Sequence, residues 1–356
     1  MVLDTRDFLE REVEDVSVAL GEQHYESMDQ LLREHSESSN LKELSVALLK
    51  IRQTVPTKTG IEELYKIAAN SHDSRQLLAA QILGHHRDWL TVSNGLRRHL
   101  DLSRKMEFDS TVTTALVWGL RQREEISEFL EHPSETVARE AALGIPLGRR
   151  TIFPVLDTVR KSLYPELARI LLLKLRHIHP SLMPYVFDTI VDDPWTERAM
   201  RHLFSALPQV SVFEFFIDKE IVVGNVGVDI EKTSRWHRAG RVGKEVLTSD
   251  PSGELLRALL IRSGDNEVFS RRHGAFIRSV IKSVDSGSGQ ELIGDLEALT
   301  LGASEEKVFR LAQSLVELGS RLEGESAQKI QAMLEEWKGR SVELKLKIYH
   351  LEQRIV

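Results

Sequence analysis

No cysteine occurs in the 356 residues, which excludes disulfides, thiolate metal sites and a cysteine nucleophile. An intracellular, cytoplasmic setting is the expectation from that absence. Long apolar runs are missing too. The most apolar short stretch, 170–173, is closed by Arg169 and Lys174, far short of the roughly 20 residues that a membrane span needs. Residues 1–13 carry Asp4, Asp7, Glu10 and Glu12, a pattern foreign to secretory and transit peptides. Catalytic signatures are absent as well: there is no Gly-x-Ser-x-Gly elbow, no His-Glu-x-x-His and no Gly-x-x-x-x-Gly-Lys loop. Gly224-Asn-Val-Gly227 lacks the third glycine of a dinucleotide loop and reads as a turn. The histidine groups, His85-His86 with Asp88 and His177-Ile-His179, lack zinc-ligand spacing and are expected to face the carbonyls of helix C-termini. The expectation is therefore no catalytic residue, no metal and no cofactor.

What is present points to a packed helical protein. Hydrophobic residues make up 41% and charged residues 28%, and the length exceeds what one compact core usually holds. Net charge is −7, which argues against generic nucleic-acid binding. Its distribution is uneven. Residues 1–45 hold twelve acidic and four basic side chains, whereas 146–180 hold seven basic and two acidic ones, and 231–290 are also net basic.

A repeat organises the chain. Ile152-Phe-Pro-Val-Leu-Asp-Thr-Val159 returns as Leu182-Met-Pro-Tyr-Val-Phe-Asp-Thr-Ile190, with Pro154 and Pro184 thirty residues apart. Upstream, Val137-Ala-Arg139 returns as Leu167-Ala-Arg169 at the same interval. The stretch from His72 to Gly84 lies on His132 to Gly144 without a gap, and Thr111 to Gly119 fits the same frame. A period of this length marks stacked helical hairpins. Each copy of this frame ends in glycine, which predicts left-handed C-terminal caps. Trp118 falls where Leu83 and Leu143 fall and is expected in the core, whereas Trp195, after Pro194, is expected to be exposed. Asp157 and Asp188 occupy equivalent positions, which favours a structural task for both.

Pro133-Ser-Glu-Thr-Val-Ala-Arg139 followed by Ala141-Ala-Leu-Gly144 resembles the first helix of a HEAT repeat, and 152–159 resembles the second. The resemblance covers about 72–208. It implies an all-α, right-handed α-solenoid of HEAT-like hairpins, and a scaffold or adaptor role. Some solenoids of this type are DNA-repair glycosylases, but no distinctive match to them occurs here. The arginine of the motif is present at Arg139 and Arg169 but replaced at Ala79 and Thr114, so a polar ladder between repeats would be incomplete.

Three segments are expected. An acidic helical cap spans 1–70. The solenoid spans 71–284, with an irregular stretch near 209–232 in which 221–228 reads as a short strand pair, an extended loop, or equally the end of a helix and a long connection. A helical segment spans 290–356, reached through the linker candidate Asp285-Ser-Gly-Ser-Gly289. In the last segment Val308, Leu311, Leu315, Leu318 and Leu322, then Ile330, Leu334, Trp337, Leu344, Ile348, Leu351 and Ile355, follow heptad spacing. They predict a coiled-coil-like helical hairpin folded on the last repeats, or a homodimer through 308–355.

The candidate binding surface is basic. Arg149 and Arg150 open one predicted helix, and Arg160 and Lys161 end it; Arg169, Lys174 and Arg176 belong to the next. Arg235-Trp236-His237-Arg238 is the one place where an aromatic is flanked by cations on both sides, and Arg271 and Arg272 extend the set. The expected partner is a protein with an acidic surface; the alternative is a nucleic-acid backbone along the same residues.

Overall fold

The computed structural model describes residues 58–73, 76–85, 92, 94–98, 108–161, 165–218, 229–249, 253–283 and 286–355. The predicted helices before residue 58, the side chains at 85–89 and the 221–228 segment lie outside the described residues. Among those described, every regular element is helical and none is a strand. No described helix is long and apolar enough to cross a membrane. The chain divides into two compact units, 1–171 and 172–356.

In the first unit α1 (Lys58–Ala69), α2 (Gln76–His85), α3 (Ser110–Gly119) and α4 (Glu135–Gly144) pack each on the next. The last three carry the copies of the sequence frame at 72–84, 111–119 and 132–144. Their terminal glycines are not left-handed caps. Positive φ occurs among described residues only at Gln122, Gly302 and Gly324. The frame glycines instead allow close approach: a Cβ on Gly84 would lie 2.6 Å from the Trp118 ring, and one on Gly119 would lie 2.9 Å from the Gly84 Cα. Trp118 is accordingly half-buried rather than fully in the core.

The corner after α3 turns through Gln122, whose N–H donates to the Gly144 carbonyl at 2.9 Å and ties the corner to the end of α4. A 3₁₀ turn (Glu124–Phe129) and α5 (Ile152–Lys161) complete the unit. Arg121 reaches Glu140 at 2.6 Å, with both side chains largely buried. The division between units falls inside α6 (Pro165–Leu175).

The second unit holds α7 (Met183–Asp192), α8 (Glu197–Ala206), the short α9 (Gln209–Val212) running into a π-turn (Phe213–Asp218), and α10 (Ile230–Ser249). It continues through α11 (Gly253–Asp265), α12 (Glu267–Ile281), α13 (Ser286–Thr300), α14 (Glu305–Gly319), α15 (Glu325–Lys338) and α16 (Val342–Ile355). Helix α13 overturns the linker expectation, because Ser286–Gly289 form its first turn. The segment from 290 onward packs on what precedes it. Helices α10, α12, α14 and α16 are successive neighbours in one row, and α11, α13 and α15 in another. Val308, Leu311, Leu315, Ile330, Trp337, Leu344 and Ile348 are all buried between these rows, so these heptad positions are spent inside one chain.

Arginine side chains tie the rows together. Arg310 donates to the Gly264 carbonyl, at 3.0 and 2.6 Å. Arg321 donates to Lys282 O at 2.8 Å, and Arg340 to Thr300 O at 3.4 and 3.5 Å. Each carbonyl stands at the end of an earlier helix, where the last C=O groups lack an intrahelical partner and carry the negative end of the dipole.

Candidate binding cleft between two basic helices

Helix α10 turns one side toward α12 and the π-turn. Trp236, Gly240, Lys244 and Thr248 recur every four residues along it, and with Arg241 they form one wall of a cleft of about 590 Å³. Helix α12 supplies Ala275, Phe276 and Ser279 to the other wall, and the π-turn supplies Phe216 and Ile217. The close fit at the base depends on Gly240, where a Cβ would come 2.9 Å from the Phe216 carbonyl oxygen.

The floor is a rigid aromatic cluster. Phe216 packs on Phe204 with centroids 4.7 Å apart, and Phe213 stacks on Phe276 at 5.6 Å. Beside it lies His273, buried and in contact with Phe213 and Phe269. Its Nε2 is 2.8 Å from Asp218 Oδ1. Burial pushes the His273 pKa down; Asp218 opposes that shift, and nearby Arg272 and Lys244 reinforce it. Arg262 also reaches Asp218, at 3.4 Å, and stands over the Phe269 ring. This network, buried at His273, ties the end of the π-turn to α12. Every charged side chain in it that faces Asp218 is engaged, which suits a structural joint.

The helices that form the walls are basic, although Glu245 also lines the cleft. Helix α10 carries five basic residues against two acidic, and α12 three against one, in a chain whose net charge is −7. Arg241 is tied to Glu197 and Glu245. Lys244 and Arg238 are exposed, and no ion pair joins either to a described residue. Trp236 is half-buried against His237. Its indole N–H is enclosed with no acceptor in reach, a cost of about 1–3 kcal/mol for a buried donor.

The structure distributes the sequence-predicted residues between different tasks. Arg160 and Lys161 pair with Asp157, and Lys161 also reaches Glu131 at 2.6 Å, thirty residues back. Burial pushes the Asp157 carboxyl up, but these two cations outweigh it and hold it below the ordinary value. Arg150 meets Glu124 at 3.3 Å and Arg169 lies 3.8 Å from Glu166, both pairs well exposed. Arg149 and Arg176 are exposed, Lys174 is half-buried, and Arg271 pairs with Glu267. Arg235 joins the arginine rungs: it donates to the Val191 carbonyl at 3.3 Å and to that of Asp192, at the end of α7. Arg272 donates to the Asp218 carbonyl at 3.3 Å. Of the whole set, the structure places Trp236 on the cleft wall, with Arg238 on the same helix.

Three expectations are corrected. Trp195 is buried, with its N–H donated to the Thr189 carbonyl at 3.2 Å. His179 caps the start of the turn at Pro180–Leu182 by accepting the Ser181 N–H, instead of facing the end of the preceding helix. Asp188 is exposed, and the structural task falls to its neighbour: Thr158 and Thr189, equivalent in the two copies, each donate to the carbonyl four residues back at 2.8 Å.

Sequence reasoning missed Lys244, Phe216, Phe276 and the His273–Asp218 pair. The four-residue recurrence from Trp236 to Thr248 was a usable signal for the α10 wall. Nothing local announced the opposite wall, because it comes from residues some forty positions later. Among the described residues no group of three or more His, Asp and Glu side chains is placed to hold a metal. No family model matches the chain, and neither curated proteins nor solved structures show a significant similarity to it.

Proposed function

We propose that this chain is a non-enzymatic scaffold or adaptor that docks an acidic protein segment in the cleft between α10 and α12. The observation that carries the reading is the charge of these two helices around an aromatic floor, in an otherwise acidic chain. A desolvated apolar centre with a charged rim is how protein interfaces combine affinity with orientation. The helical rows of each unit support a HEAT-like stack, and we infer a right-handed solenoid from them together with the repeat in the sequence.

A nucleic-acid partner is the second reading, favoured by the same charge. Single strands need exposed aromatic faces for stacking. Phe216 and Phe276 are buried, and the Trp236 ring already packs on His237, so the protein reading stands first.

The test is a mobility-shift series with single and duplex strands at about 50 and 200 mM salt, where phosphate binding loses several orders of magnitude. The expected result is no shift at either salt. A salt-sensitive shift that disappears in Arg238→Glu/Lys244→Glu would replace the proposal with the nucleic-acid reading. Joint reversal of Arg149, Arg150, Arg169 and Lys174 to glutamate is expected to leave protein binding intact, because none of these residues lines the cleft.

A further inference from the structure

We infer that the segment taken by the cleft is an amphipathic α-helix with an acidic outer flank, an inference that rests on the docking role proposed above. The argument is one of backbone hydrogen bonding. The cleft walls are the helices α10 and α12. Their backbone N–H and C=O groups are paired inside each helix and offer nothing to an incoming chain. An extended peptide pressed into the cleft would lose water from its own N–H and C=O groups without replacement, at a cost of about 1–3 kcal/mol for each group left unmet. No described strand edge borders the cleft to accept it by sheet addition. A helix arrives with its backbone already satisfied and presents side chains alone.

The dimensions agree. From Trp236 to Thr248 the wall runs twelve residues, or about 18 Å at the helical rise, enough for three turns of a partner helix. Gly240 and Ala275 keep the two walls low, which lets a second backbone come near. Trp236 and Ala275, the apolar lining residues left open above the buried aromatic floor, suit leucine, methionine or phenylalanine at positions i, i+4 and i+7 of the partner. Lys244, which lines the cleft and has no ion pair among the described residues, complements a glutamate or aspartate beside that stripe.

Selection from a random sixteen-residue peptide library on the full chain tests this, with counter-selection on an Ala275→Trp variant that fills the cleft from an exposed position. Circular dichroism first verifies that the variant keeps its helicity. The expected winners carry apolar residues at i, i+4 and i+7, acidic residues between them and no internal proline. A proline placed at the centre of a winner should weaken it at least tenfold, and Lys244→Glu should weaken the parent peptide about tenfold. Winners that are proline-tolerant or extended in pattern would overturn the helix while leaving the docking role in place. Winners that bind Ala275→Trp as tightly as the unaltered chain, or a library that yields none, would overturn both.

Discussion

At the scale of single residues, two histidines set how stability responds to acid. Burial holds His273 and His132 below the ordinary histidine value. Each therefore favours the neutral form in the folded chain, while the unfolded chain takes up a proton near pH 6.5. Stability contributed by both groups is present above that pH and is lost as pH falls toward the folded values. The thermal midpoint should drop between about pH 7 and 5, and His273→Gln should flatten part of that drop in a pH series. At the frame glycines the issue is space. Gly84→Ala places a methyl within 2.6 Å of Trp118, and overpacking of this kind costs about 1–3 kcal/mol, measurable by urea unfolding. The repeat made Gly84, Gly119 and Gly144 visible in the sequence, but not their purpose. A left-handed cap and a close helix crossing both call for glycine, and only the neighbouring helix distinguishes them.

Among elements, ties between helices outweigh local patterns. The buried Arg121–Glu140 pair joins the corner after α3 to α4. Arg121→Met alone removes the cation paired with a buried carboxylate and should cost about 3–5 kcal/mol, whereas Arg121→Met with Glu140→Leu should recover most of that loss. In the second unit Trp337 is almost fully enclosed where α15 meets its neighbours. Trp337→Ala should cost about 3–5 kcal/mol, with the loss read in denaturant unfolding. The amphipathic periods of α14, α15 and α16 were legible because burial follows a 3.6-residue repeat. The assignment of Arg235, Arg272, Arg310, Arg321 and Arg340 to helix-end carbonyls was not, because each acceptor lies on another helix, some forty to fifty residues away in sequence.

For the whole molecule, the heptad positions that suggested a dimer are occupied by the chain's own helices. The prediction is a monomer of 40.5 kDa in light scattering coupled to size exclusion, independent of concentration across the micromolar range. A concentration-dependent dimer would direct attention to Val342, Leu346 and Tyr349, which lie exposed on the outer side of α16.

The sequence by itself determined that the chain is helical, that a motif recurs at a thirty-residue interval, and where basic and acidic residues concentrate. Those properties are local: they depend on side-chain spacing and on composition along a short stretch. Only the tertiary structure decided which cations are consumed by partners and which stay free. It likewise decided that Trp236 faces Phe276 across a cleft, and that Asp218 meets His273 fifty-five residues later. The physical reason is that a salt bridge, a buried ring contact or a cleft exists only where two helices meet, and that meeting is set by how their surfaces pack rather than by either sequence alone.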